Sequence, residues 1–164
     1  TGEEPYSLAI LAKHVFPAEW RIKIHASDID SKVIRFAKHG VYPHARIART
    51  PEQYTAYLMR YLRGTDEGWG FDYDVKSMVQ FRRESIFEAQ VGNLDLILCR
   101  NVMIYFDDAG IARMAEKFDR SLRDGGHLII GHSEFLRRRP ETLRYERLGN
   151  VSLHTKVAAA RQVA

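Results

Sequence analysis

At 164 residues, 45% hydrophobic and 28% charged, the chain has the size and composition of one globular domain with a real core. Lys and Arg number 25 against 21 Asp and Glu, a formal charge of +4; the basic residues bunch at Arg46 and Arg49, Arg60 and Arg63, Arg82 and Arg83, and Arg137, Arg138 and Arg139, without the interleaved aromatics of a single-strand binder, so nucleic acid is not an expected partner. No apolar stretch approaches the about 20 residues of a membrane span, and the lone cysteine, Cys99, sits in an apolar run, which together point to a cytoplasmic setting with no direct membrane insertion.

The chain opens Thr1-Gly2-Glu3-Glu4-Pro5 without an initiator Met, as a piece of a longer protein would. Leu8, Leu11, Ala12 and Val15 recur at helical spacing over 6–16; Pro5 suits the first turn, and Thr1 with Glu4 matches a capping box. The two glutamates read equally as ordinary N-terminal acids or as carboxylates beside a cationic ligand. Residues 20–26 alternate as a strand and end at Ser27-Asp28-Ile29-Asp30. An acid closing the second strand of a nucleotide-binding sheet commonly binds ribose hydroxyls about 20 residues beyond a glycine turn, and Asp28 lies roughly that far from Gly2. Asp30 or Ser31 caps the next helix, 32–38, which stops before His39-Gly40.

Thr50-Pro51 opens a helix over 52–62, whose tyrosines at 54, 57 and 61 read as packing, with Gly64 beyond its end. Residues 64–70 are turn-rich, and Trp69, Phe71, Tyr73 and Val75 alternate as a strand would, so 64–77 reads as a small exposed β insertion and a candidate docking surface. A strand resumes at 78–81. The run Leu94, Leu96, Ile97, Leu98, Cys99 has the pattern of a strand buried on both faces of a parallel sheet. Arg100 and Asn101 follow it at the carboxyl end, where open α/β sheets bind ligands. An isolated Arg-Asn pair there is also the ordinary charged cap of a strand.

Asp107 is a good N-cap for a helix over 108–122, Asp124-Gly125-Gly126 breaks it, and 127–131 is the next strand. His132 belongs to no metal-ligand spacing and Ser133 to no nucleophile elbow, so both read as loop residues; no metal site is expected. Residues 143–148, the turn Gly149-Asn150 and 151–157 form a terminal hairpin, and 158–164 a frayed tail.

TGEEPYSLAI, ASDID and ILCRNVMIYF, followed by GGHLIIGHSE, together resemble the CheR-type chemotaxis receptor methyltransferases, in order and over nearly the whole chain. The resemblance implies a class I, Rossmann-like methyltransferase domain over 1–157: a mostly parallel sheet, a small inserted β-subdomain at 64–77 and a C-terminal antiparallel hairpin. It also implies that the family's first strand precedes Thr1, so that this chain, alone, is expected to complete its sheet with a second copy or to rearrange its strands. The implied reaction is S-adenosylmethionine-dependent methylation of glutamate side chains on chemoreceptors, releasing S-adenosylhomocysteine. Position by position, Glu4 and Asp28 match the family's cofactor ligands, as do Arg100 and Asn101. Ser85 and Ile86 stand where the family usually has Asn-Leu, and Tyr105 matches the active-site tyrosine. The insertion looks shorter than the β-subdomain with which some members grip a receptor-tail pentapeptide. The alternative is a non-catalytic module that senses the cofactor or docks a signalling partner. A nicotinamide-binding domain is excluded because no G-x-G-x-x-G occurs.

Overall fold

The computed structural model describes residues 1–158, so the expected tail at 158–164 lies almost wholly outside the described residues. The chain divides into two units, Thr1–Ile86 and the residues from Phe87 onward.

The first unit is built on a parallel strand pair. β1 (Ile24–Asp28) and β5 (Val79–Arg83) run in register from Ile24 opposite Val79 to Asp28 opposite Arg83. α1 (Glu3–Val15) precedes β1, and α2 (Ser31–His39) follows it. Of the two cap candidates Asp30 caps α2, accepting the Lys32 N–H at 2.7 Å, and the helix runs one residue past its expected end at 38 before Gly40 stops it in the left-handed region. The capping box expected for α1 does not form. The helix starts early enough that Gly2 (φ 97°) is its N-cap, and the Thr1 hydroxyl instead donates to Glu3 at 2.5 Å. A side chain at Gly2 would meet the Tyr42 hydroxyl at 2.7 Å, so this turn is held against its neighbours.

Between α2 and β5 come β2 (Val41–Tyr42), α3 (His44–Ile47), α4 (Glu52–Met59), β3 (Leu62–Thr65), β4 (Gly68–Phe71) and α5 (Tyr73–Ser77). β2, β4 and β3 form an antiparallel sheet in that order. The β insertion expected at 64–77 is therefore a β3–β4 hairpin joined by a third strand, β2, and it is tied into the core. Tyr6, Tyr42 and Phe71 are buried, with Tyr6 to Phe71 centroids 4.4 Å apart and Tyr6 to Phe81 5.5 Å. The strand expected to run through Val75 stops at Phe71, because the Asp72 carboxylate accepts the Val75 N–H at 3.1 Å and starts α5. The expected 52–62 helix is shortened at Met59, and none of its residues is buried. Of the tyrosines expected to pack, Tyr54 and Tyr57 are exposed, whereas Tyr61, just past the helix, is partly buried against the core; Tyr57 and Tyr61 flank His14 edge-on, at 4.8 and 5.7 Å.

The second unit carries a four-stranded sheet in the order β6 (Leu94–Cys99), β7 (Leu122–Ile130), β9 (Val151–Lys156), β8 (Leu143–Leu148), with β6 and β7 parallel and the rest antiparallel. β6 falls where the apolar run places it, but it is not buried on both faces. It is the terminal strand of its sheet, with Leu96 36% exposed and only Cys99 buried. α6 (Asp108–Ser121) is capped by Asp107, which accepts the Gly110 N–H at 2.7 Å, and turns Met114, Ala115 and Phe118 inward. Its last carbonyls are met from β9: Lys156 donates to Asp119 O at 2.6 Å and Leu122 O at 3.0 Å. The Asp124-Gly125-Gly126 break appears as a bulge inside β7, where pairing jumps from Leu94–Leu122 to Leu96–His127. The terminal hairpin turns at Gly149-Asn150, as expected. Among the described residues no helix is long and apolar enough to cross a membrane.

Candidate cofactor and acceptor site

In the first unit, register gathers part of the predicted site. Asp28 is the last residue of β1, and the Glu84 N–H donates to its carbonyl at 3.2 Å, extending the β1–β5 ladder by one step. Ser85 and Ile86 follow at once, both half-buried, so they and Asp28 share the carboxyl edge of one parallel pair. Asp28 Oδ1 accepts the Asp30 N–H at 2.8 Å, which anchors that oxygen; no hydrogen bond to Oδ2 is found among the described residues. A ligand bearing neighbouring hydroxyls would find an oriented acceptor there. Glu4 lies in the first turn of α1, two residues after Gly2, which abuts Ala37 of α2 and Tyr42 of β2.

The second unit holds the remaining predicted residues on one short loop. β6 ends at Cys99; Arg100 and Asn101 are exposed, and Met103–Tyr105 make a single 3₁₀ turn before Phe106 and α6. Asn101 adopts φ 58°, a left-handed conformation that Asn tolerates better than most residues. Met103 is buried beneath the turn, while the Tyr105 side chain stands out at 79% exposure, open to an incoming molecule. The Phe106 ring meets Phe87 at 5.7 Å, and the Arg113 guanidinium lies 4.6 Å over Phe87, which pins the far end of the loop to α6.

The residue that sequence reasoning missed is Glu134. It is 3% exposed, and its carboxylate accepts four backbone N–H groups, from Asn101 (2.9 Å), Val102 (2.9 Å), Met103 (2.8 Å) and Gly131 (2.9 Å). The available signal was a single acid four residues past the end of β7 and three past a glycine.

Comparison with known proteins supplies the family context. The family model described as CheR methyltransferase, SAM binding domain, matches residues 1–150. Chemotaxis protein methyltransferase 2 of Pseudomonas aeruginosa is 40% identical over 141 residues, covering 82% of this chain and 50% of that protein. The chemotaxis protein methyltransferase of Escherichia coli is 39% identical over 142 residues, covering 82% and 49%. The chain thus spans about half the length of the curated relatives it matches. Among solved structures, an RNA methyltransferase from Salinibacter ruber in complex with S-adenosyl-L-homocysteine superposes with a TM-score of 0.50 at 13% identity, over 98% of this chain and 80% of that one. That likeness concerns the fold alone: a class I, Rossmann-like architecture with mixed parallel and antiparallel pairing.

Proposed function

The chain belongs to the CheR methyltransferase family, and from that premise we propose that it takes part in S-adenosylmethionine-dependent methylation of glutamate side chains on chemoreceptors in the cytoplasm. When bound, S-adenosylmethionine supplies a sulfonium-activated methyl group. The residues present suit such a molecule. Asp28 offers an oriented carboxylate to ribose hydroxyls from the edge it shares with Ser85 and Ile86; the carboxylate of Glu4 suits a cationic group, and Arg100 with Asn101 an amino-acid end.

The acceptor chemistry asks little of the protein beyond placement. A glutamate carboxylate, with an ordinary pKa of about 4.3, is already ionised at neutral pH and needs no general base. Its oxygen forms a bond to the methyl carbon while the carbon–sulfur bond breaks and its electron pair stays on sulfur. Alignment and exclusion of water can then contribute about 7–11 kcal/mol. Tyr105 orients the acceptor carboxylate through its hydroxyl and is not a nucleophile. The observation that carries this reading is the Arg100–Phe106 loop: backbone held from within, tyrosine presented outward.

The test is transfer of labelled methyl from S-adenosylmethionine to the cytoplasmic domains of chemoreceptors by the full-length protein. Base-labile label on receptor glutamates is the expected result. Cofactor binding without transfer to any receptor would replace the enzyme by a sensing or docking module.

A further inference from the structure

We infer that Glu134 is a positioning residue of this methyl transfer: its buried carboxylate sets the backbone of the Asn101–Met103 turn and, through it, Arg100, Asn101 and Tyr105. The inference rests on the function proposed above. Three successive N–H groups, of Asn101, Val102 and Met103, converge on one anion because Asn101 is left-handed (φ 58°) while Val102 is right-handed (φ −116°, ψ −41°). Alternating handedness of this kind turns consecutive amides into an anion-binding concavity. The anion is here supplied by the chain itself. Each Glu134 oxygen takes two N–H donors, Oε1 from Val102 and Met103, and Oε2 from Asn101 and Gly131. A carboxylate has about four acceptor positions, so it is filled.

The fourth donor explains why the arrangement positions as well as stabilises. Cys99 and Ile130 are the last paired residues of β6 and β7, and Oε2 bridges the Asn101 and Gly131 N–H groups just beyond them. Glu134 therefore carries the cross-strand tie past the end of the ladder and registers the loop against β7. Gly131 is part of the device, since a methyl there would overlap Glu134 Oε2. Glutamine is no substitute: whichever way its amide is turned, its nitrogen faces two N–H donors.

Two variants of the full-length protein test this. Glu134→Gln removes half the acceptors, and Gly131→Ala displaces the carboxylate while keeping its charge. In both, amide exchange at Asn101, Val102 and Met103 should quicken at least about tenfold, while Leu128, Ile129 and Ile130 in β7 keep their protection. At saturating cofactor, kcat should fall at least about tenfold with the receptor KM within about twofold of wild type, a split that general destabilisation would not produce. Wild-type exchange at Asn101–Met103, or wild-type kcat, in either folded variant would overturn the role. Should Glu134→Gln fail to fold, Gly131→Ala decides alone. A wild-type protein that transfers no methyl would overturn the underlying function instead, and the exchange result would still say whether Glu134 holds the loop.

Discussion

Asp28 and Tyr105 offer contrasting tests of single residues. The Asp28 carboxylate is oriented by the Asp30 N–H on one oxygen, and its service to a ligand would come from the other. Charge-assisted hydrogen bonds to hydroxyls contribute about 1.5–3 kcal/mol each. Asp28→Ala in the full-length protein should therefore weaken S-adenosylhomocysteine binding by about tenfold or more in calorimetry. An unchanged dissociation constant would remove Asp28 from the site. Tyr105, 79% exposed, has no packing role to lose, so Tyr105→Phe should leave thermal stability within about 0.5 kcal/mol of wild type. Turnover should fall while S-adenosylhomocysteine affinity holds, which marks an interaction made in the transition state. Equal loss of both would make it a cofactor-binding residue.

Helix starts differ in how far neighbouring residues explain them. Asp30 accepts the Lys32 N–H at 2.7 Å and caps α2 unaided, so Asp30→Ala should cost about 1 kcal/mol in urea unfolding. Thr1 matches the capping pattern by sequence, yet its hydroxyl donates to Glu3 and accepts from Arg46, and Gly2 is the N-cap of α1 instead. Thr1→Ala should then change stability by less than about 0.5 kcal/mol; a loss equal to that of Asp30→Ala would show that the cap forms after all. Gly2 succeeds where Thr1 does not because its left-handed turn leaves room for Ala37 and Tyr42.

Acid stability at the scale of the folded molecule should bear the mark of one buried histidine. His154 on β9 is 3% exposed, pairs with Leu128 and Tyr145, and has no hydrogen-bond partner for Nδ1 among the described residues. Burial, reinforced by the charge of Arg139, pushes its imidazole down to about 4. The unfolded chain takes up this proton near pH 6.5, the fold only near 4. The contribution is thus complete above about pH 6.5, declines as pH falls toward 4, and levels off below, with a total on the order of 3 kcal/mol. Urea unfolding of wild type and His154→Phe at pH 7.5 and 5 isolates it from the carboxylates that titrate in both. Parallel losses in the two proteins would show that His154 is not the source.

What the sequence by itself determined is what depends on close neighbours along the chain. The caps at Asp30 and Asp107, the helix end at Gly40 and the turn at Gly149-Asn150 all rest on hydrogen bonds or backbone conformations spanning a few residues. The motif around Arg100 and Asn101 was legible for a second reason, its resemblance to a family. Its internal support was not. Glu134 reaches amides 31 to 33 residues back, and nothing local distinguishes an acid that fills a concavity from one that faces water. The tertiary structure also decided that the tyrosines of α4 stay largely outside the core and that β6 ends its sheet half-exposed; the Asp72 cap that starts α5 where alternation suggests a strand is local, spanning three residues, and was open to a reading of the sequence. Alternation and periodicity state which side of an element is apolar; only the packed neighbours determine whether anything covers it.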